Sequence, residues 1–186
     1  MPKEKTLCFL LPMSSLEKIA ATVRDVPDFP KPGILFKDIT PVLGNSDLFQ
    51  ACMSLLAETA GGEQIDKVVG IDARGFIFAA GVAQNLNAGF VPVRKAGKLP
   101  WTTRQMAYTL EYGESVVEIH EDAVKAGEKI LVVDDLLATG GTAAAAIKLL
   151  RGLEADIVAV SFLIELEALG GRAQLDSVPI HSLLKY

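Results

Sequence analysis

Short runs of apolar residues alternate with helical patterns along most of this chain, and this alternation restricts its fold more than any other feature. Residues 68–71, 90–93 and 130–133 are three such runs, and residues 157–164 are a longer one. Uninterrupted apolar runs of this length are typical of strands buried on both faces, and helices between strands allow parallel pairing. The sequence therefore predicts an α/β fold with a mainly parallel central sheet flanked by helices.

Helix and turn signals divide the rest of the chain. Ser14 and Glu17 have the spacing of a capping box, and Leu16, Ile19 and Val23 follow at helical intervals, so a short helix is expected there. Further helices are predicted over residues 47–60, 75–86 and 142–150, and further strands over residues 115–119 and 179–184. Residues 97–108 are polar and lack clean periodicity, which predicts a long loop.

Length and composition limit the class of protein. A chain of 186 residues that is 50% apolar accommodates one domain, predicted over residues 14–186, behind an N-terminal extension of residues 1–13. The extension contains a short apolar run but no cleavage site, and nothing approaches a membrane span, so a cytoplasmic protein is expected. The net charge of −5 argues against nucleic acid as a partner. Cys8 and Cys52 lack metal-ligand spacing and are expected to be reduced structural thiols.

Charged residues directly follow three of the predicted strands. They are Asp72 and Arg74, Arg94 and Lys95, and Asp134 and Asp135. In open α/β sheets ligands bind beyond the carboxyl ends of the strands, so these side chains are expected to form one site. The alternative for Asp134 and Asp135 is a pair of strand-end caps that face water.

The residues after this acidic pair favour a phosphate ligand. Ala138, Thr139, Gly140, Gly141 and Thr142 are small residues at a predicted helix start, where backbone amides and the helix dipole attract an anion. Threonine hydroxyls add donors, and the neighbouring carboxylates suit the hydroxyls of a ribose. No lysine follows the glycines, which disfavours a P-loop ATPase.

Residues 130–142 together resemble the motif that binds 5-phosphoribosyl-1-pyrophosphate (PRPP) in type I phosphoribosyltransferases. This superfamily also includes non-catalytic regulators. Residues 29–43, 72–76, 94–100, 110–113 and 178–184 are similar to segments of the adenine phosphoribosyltransferase family. The resemblance implies a type I phosphoribosyltransferase-like fold with a flexible hood loop.

The resemblance also implies roles for individual residues. Pyrophosphate would be bound by Asp72, Ala73, Arg74, Arg94, Lys95 and Lys98. The peptide bond between Asp72 and Ala73 would be strained and would turn its amides toward the pyrophosphate. Leu35, Phe36 and Lys37 would form the adenine pocket, with Phe36 stacked on the base. A solvated loop position for Lys98, and a core position for Leu35 and Phe36, are the alternatives.

The hood implied by the resemblance covers residues 95–112. Its closure would exclude water, and Glu111 would act on the purine while Tyr112 packs beside it. The alternative for Glu111 is a surface acid at a strand start. Trp101 stands where the family usually has glycine, so it would stiffen the hood or pack on a partner subunit.

The implied activity is purine salvage, in which PRPP and adenine give AMP and pyrophosphate. Mg²⁺ would be the cofactor, held mainly by PRPP oxygens and water rather than by protein ligands, and Arg74 and Glu111 would be the catalytic residues. The resemblance further implies a homodimer. A 6-oxopurine phosphoribosyltransferase, and a PRPP-sensing regulatory protein, remain as alternative functions.

Overall fold

The computed structural model describes residues 13–110, 113–175 and 177–186. The chain divides into two compact units, Met1–Phe49 and Gln50–Tyr186. The predicted extension lies almost wholly outside the described residues. In the part of the chain that is described, no helix is long and apolar enough to cross a membrane.

The described residues of the first unit form two helices, a small hairpin and the beginning of a further helix. Helix α1, Ser15–Thr22, begins with the predicted capping box, in which the Glu17 amide donates to the Ser14 hydroxyl and the Ser14 amide donates to the Glu17 carboxylate. Strands β1, Arg24–Pro27, and β2, Leu35–Asp38, pair antiparallel and precede the short helix α2, Thr40–Leu43. The hairpin was not expected from the sequence, because its strands are short and Pro27, Pro30 and Pro32 surround the turn.

The second unit is built on a seven-stranded sheet. Its strands are β3 Lys67–Ile71, β4 Gly89–Lys95, β5 Thr103–Leu110, β6 Gly113–His120, β7 Lys129–Leu137, β8 Asp156–Glu165 and β9 Ile180–Lys185. The spatial order is β5-β6-β4-β3-β7-β8-β9, and β4, β3, β7, β8 and β9 are parallel. The predicted α/β class with a mainly parallel sheet is confirmed.

Two helices cover opposite faces of this sheet. The helices of the chain after α2 are α3 Ser46–Glu58, α4 Gly75–Asn85 and α5 Gly141–Gly152. Val69 and Ile71 of β3 lie in one apolar cluster with Ala146 and Leu150 of α5. Gly70 faces the other way, and a Cβ atom there would lie 2.8 Å from the Cβ of Ala79 in α4. Successive strand residues point to opposite faces, so the sheet is a central layer between α4 and α5.

The predicted loop over residues 97–108 is wrong in its second half. Residues from Thr103 onward form β5, which pairs antiparallel with β6 along its whole length. Met106 and Tyr108 pack against the apolar cluster under α5, and Arg104 donates a hydrogen bond to the Gly152 carbonyl at the end of that helix. The strand is an edge strand, so its polar outer positions obscured the alternation.

Candidate active site

One cavity brings together charged residues from adjacent strands. Its volume is about 380 Å³, and its polar lining residues are Asp72, Arg74, Asp134, Asp135 and Thr142, with Ile71, Ala73 and Leu136 completing the wall. Asp72 and Arg74 follow β3, while the acidic pair lies in β7 beside it. The sequence placed Asp134 and Asp135 after a strand, but β7 continues through them to Leu137, so they occupy the last part of the strand itself.

Two ion pairs cross between neighbouring strands at this edge. The Nε atom of Arg74 lies 2.5 Å from Oδ2 of Asp135, and the Nε atom of Arg94 lies 3.1 Å from Oδ2 of Asp72. Arg94 also donates from Nη1 to the Lys98 carbonyl oxygen and lies over the Phe76 ring. The arginines are thus held at the cavity by acids, where a polyanion would find charge already in place.

Asp134 lies tightly against the start of α4. A Cβ atom at Gly75 would be only 2.5 Å from Oδ1 of Asp134, so only glycine allows the carboxylate to sit there. The Asp135 amide donates to the same Oδ1 at 2.9 Å. Burial, together with the charge of Asp135, raises the pKa of Asp134 well above its usual value. The two acids therefore have different surroundings, since Asp135 pairs with Arg74 while Asp134 packs against the start of α4.

A loop of small residues closes the neighbouring cavity. This smaller space, about 80 Å³, is lined by Asp134, Leu136, Leu137, Ala138, Thr139, Gly140, Gly141, Thr142 and Ala143. Gly140 has a left-handed φ of 83° and is the residue before α5, so the loop ends on free helix amides as expected. We call residues 138–142 the phosphate loop. The two cavities share Asp134, Leu136 and Thr142 in their walls, so they adjoin each other.

The remaining residues predicted to bind pyrophosphate lie at the ends of β3 and β4. The peptide bond between Asp72 and Ala73 is cis. Lys95, the last residue of β4, and Lys98, in the turn that follows, are both exposed. Their binding of pyrophosphate stays a prediction.

Sequence reasoning missed a buried carboxylate beneath the turn that carries Lys98. Glu118 of β6 is 2% exposed. One oxygen accepts the amides of Lys98 and Leu99 at 2.8 and 2.9 Å, and the other accepts Gln105 and the Thr103 hydroxyl. Burial raises the pKa of Glu118, but these hydrogen bonds outweigh it and hold the pKa below its usual range. No signal marked Glu118, since an acid in an alternating strand is normally assigned to the solvent face.

We expect Glu118→Gln to destabilise the fold by about 1–3 kcal/mol, because the new amide group faces donors and leaves them unpaired. Since the folded pKa of Glu118 is depressed, its contribution is present above the ordinary glutamate range and is lost as pH falls. Urea unfolding of the original protein and of Glu118→Gln, at pH 7 and at progressively lower pH, measures their free energies of unfolding. The difference between the two free energies should become smaller as the pH falls. Glu121→Gln, at a half-exposed position 3.8 Å from Arg104, is the matched control. Equal stabilities at pH 7 would exclude this role for Glu118.

The predicted adenine residues belong to the first unit. Leu35 is 50% exposed, so it is not a core residue. Phe36 meets Phe29 edge to face, with ring centroids 5.2 Å apart, and Lys37 pairs with Asp25 across the hairpin at 2.6 Å. Their contact with adenine stays a prediction.

The hood residues are described only in part. Glu111 and Tyr112 lie outside the described residues, so their predicted roles stay predictions. Trp101, at 70% exposure, is the most open of the large apolar side chains that the structure describes.

No group of three or more metal-ligating side chains occurs among the residues whose positions are described. The oxygen donors nearest the site are the carboxylates of Asp72, Asp134 and Asp135, and two of these are paired with arginines. Carboxylate, phosphate and water oxygens are the donors that Mg²⁺ prefers. The donor set therefore fits a magnesium ion that arrives with a phosphorylated ligand.

A parallel sheet with an acidic pair, the phosphate loop and paired arginines at its carboxyl edge defines a class of α/β protein whose site suits a phosphorylated sugar. A family model described as phosphoribosyl transferase domain matches residues 40–175. The adenine phosphoribosyltransferase of Mesorhizobium japonicum is 52% identical over 172 residues, which cover 91% of this chain and 95% of that protein. The chain belongs to the adenine phosphoribosyltransferase family.

Solved structures agree with this membership. The adenine phosphoribosyltransferase of Rhodothermus marinus is 48% identical, with a TM-score of 0.87 over 92% of this chain and 98% of that one. The enzyme from Saccharomyces cerevisiae, solved with an imino-altritol bisphosphate and adenine, is 40% identical, with a TM-score of 0.86 over 91% and 98% of the two chains.

Proposed function

We propose that this chain transfers the 5-phosphoribosyl group of PRPP to adenine and releases AMP and pyrophosphate, a purine salvage reaction. The observation that carries the proposal is a pair of adjoining cavities, one lined by Asp134 and Asp135 and the other by the phosphate loop. A sugar phosphate needs this combination, since carboxylates accept from hydroxyls and helix-start amides bind phosphate. The yeast relative solved with a bisphosphate and adenine supports the same pair of substrates.

In the proposed reaction the acidic side chains of the site bind the ribose and the basic side chains bind the pyrophosphate. The carboxylates of Asp134 and Asp135 accept hydrogen bonds from the ribose hydroxyls and orient the ring. Arg74 and Arg94, with Lys95 and Lys98 at the rim, stabilise the charge that develops on the departing pyrophosphate. Arg74 touches the leaving group in this scheme and is therefore a catalytic residue. The backbone at Asp72 and Ala73 adds donors to the same group.

Magnesium is proposed as the cofactor, held mainly by PRPP oxygens and water. It would supply positive charge to the pyrophosphate. The chain's own contribution is the arrangement of Asp134, Asp135 and Arg74 around the bound phosphoribosyl group.

The base and the hood complete the proposed reaction. In this reaction Leu35, Phe36 and Lys37 bind adenine. Glu111, with Tyr112 packed beside it, exchanges a proton with the edge of the purine ring. Closure of the hood excludes water from a cationic sugar intermediate, which water would otherwise hydrolyse.

A homodimer and a cytoplasmic location are also proposed. Exposed apolar side chains on α4, β4 and the following turn, those of Ile77, Phe90 and Trp101, supply area for a subunit contact.

A base-competition assay tests the reaction. With PRPP limiting and adenine, hypoxanthine and guanine present in equal amounts, we expect AMP to be the main nucleotide formed. Discrimination against a 6-oxopurine is expected because a site built for the adenine amino group leaves polar atoms unpaired when that group is absent. Chromatography of the products gives the ratio directly. Predominant IMP or GMP would show that the adenine assignment, and with it the role of residues 35–37, is wrong.

A further inference from the structure

A short helical segment that follows β8 lies against the backbone of the phosphate loop. After β8 the chain forms two short 3-10 helices, Glu167–Leu169 and Gly171–Gln174. A Cβ atom on Gly171 would lie 2.1 Å from the Ala138 carbonyl oxygen and 2.9 Å from the Gly140 nitrogen. The converse also holds, because a Cβ atom on Gly140 would lie 2.3 Å from the Gly171 carbonyl oxygen. The two backbones are therefore in direct contact, with no side chain between them.

The next residue fixes this second helix to the sheet. Arg172 binds Glu165, the last residue of β8, through both ends of its guanidinium: Nε lies 3.0 Å from Oε1 and Nη2 lies 2.5 Å from Oε2. It also donates to the Ile180 carbonyl oxygen and the Ser182 hydroxyl of β9. Four hydrogen bonds thus hold one side chain across two strands.

The environment of this pair makes it strong. Glu165 is 4% exposed, and the bidentate hydrogen bonds of Arg172 hold the pKa of Glu165 below its usual range despite burial. Charge-assisted, bidentate pairs of this kind fix geometry as well as contributing energy. Lys185 and Glu167 form an ion pair nearby, but both side chains are more than half exposed, so that pair contributes little.

We propose that Arg172 is a positioning residue for the phosphate loop: paired with Glu165, it holds the Gly171 backbone against Gly140 and so sets the loop conformation that receives the phosphate of PRPP. This inference rests on the proposed function, which assigns the pyrophosphate to Arg74 and Arg94 and leaves the 5-phosphate for the loop. Arg172 acts through Gly171 and does not itself contact the ligand.

The phosphate end of the substrate provides a selective test. Loss of charged hydrogen bonds at Arg172→Ala should raise KM for PRPP by about 10-fold or more, with KM for adenine unchanged and kcat reduced far less. Arg172→Lys keeps the charge without the planar fork and should give a smaller rise. Glu165→Gln should resemble Arg172→Lys, and Lys185→Ala, which breaks the exposed pair, should match the original protein.

Calorimetric titration with ribose 5-phosphate separates this inference from the proposed function, because binding needs neither adenine nor turnover. Weaker ribose 5-phosphate binding in all three Arg172 and Glu165 variants would support the inference even if AMP formation failed. A purely structural role predicts a lower melting temperature with an unchanged dissociation constant and unchanged KM for PRPP. That result in the folded Arg172→Lys and Glu165→Gln proteins would overturn the inference, whether or not Arg172→Ala folds.

Discussion

Replacing both Asp134 and Asp135 by asparagine should reduce kcat/KM for AMP formation by about 10²–10⁴-fold, the loss expected when two charge-assisted hydrogen bonds are each weakened by ~1.5–3 kcal/mol. Asparagine keeps the shape of the side chain and removes its charge. It also presents an amide donor where the ribose hydroxyls need an acceptor. The expected defect is therefore in orienting the substrate, and the fold should be retained.

The two single variants should differ, because the two acids have different surroundings. Asp135 pairs with Arg74 at 2.5 Å, so Asp135→Asn also removes an ion pair that positions Arg74, a proposed contact of the pyrophosphate. Asp134 packs against Gly75 and accepts the Asp135 amide, so Asp134→Asn leaves the ion pair of Arg74 with Asp135 in place. We expect Asp135→Asn to affect both kcat and KM for PRPP, and Asp134→Asn to act mainly through binding of the ribose.

Steady-state kinetics with PRPP as the varied substrate measures these effects, and circular dichroism establishes that each variant is folded. Asp122→Asn, at an exposed turn position, is the matched charge control and should be indistinguishable from the original protein. Activity of the double variant within a few fold of that control would mean that the acidic pair does not hold the ribose. The two acids would then have a structural role, with Asp135 paired to Arg74 and Asp134 packed against Gly75.

The sequence was sufficient for the parallel core of the sheet and for the centre of the site. Apolar runs such as residues 130–133 are buried on both faces, so an uninterrupted run in the sequence predicts a central strand of the sheet. The turn at residues 140–142 was recognisable because a left-handed backbone conformation directly before a helix favours glycine. Both signals are confined to a few consecutive residues, which is why one sequence reveals them.

Features that depend on distant partners were missed. The hairpin of β1 and β2 depends on pairing across a proline-rich turn, and β5 depends on β6 and on packing under α5. Glu118 and Arg172 look like ordinary surface charges in the sequence. Their importance comes from partners 13 to 20 residues away for Glu118, and from β8 and β9 for Arg172. Hydrogen bonds between elements leave no local pattern, so only the folded structure reveals them.

A single methyl group at Gly140 should remove most phosphate binding. Gly140 has φ of +83°, where an L side chain costs about 1–2 kcal/mol, and its Cβ would also lie 2.3 Å from the Gly171 carbonyl oxygen. That neighbour is backbone, so relief of the contact requires the phosphate loop or the Gly171–Gln174 helix to move. Since the loop binds through backbone amides, we expect KM for PRPP to rise by about 10²-fold, equivalent to ~2.7 kcal/mol of lost binding.

Gly127→Ala is the control that separates the cost of placing alanine in the left-handed region from the effect of the contact with Gly171. Gly127 has nearly the same φ, +78°, but no atom lies within 4 Å of its Cβ position. It precedes β7 at the end of the strand away from the site. Gly127→Ala should lose about 1–2 kcal/mol of stability in urea unfolding, because alanine is forced into the left-handed region, and Gly140→Ala should lose more because its Cβ also meets the Gly171 backbone. Only Gly140→Ala should also lose ribose 5-phosphate affinity in a calorimetric titration. Equal ribose 5-phosphate affinities in the two variants would contradict the prediction that Gly140→Ala displaces the phosphate loop.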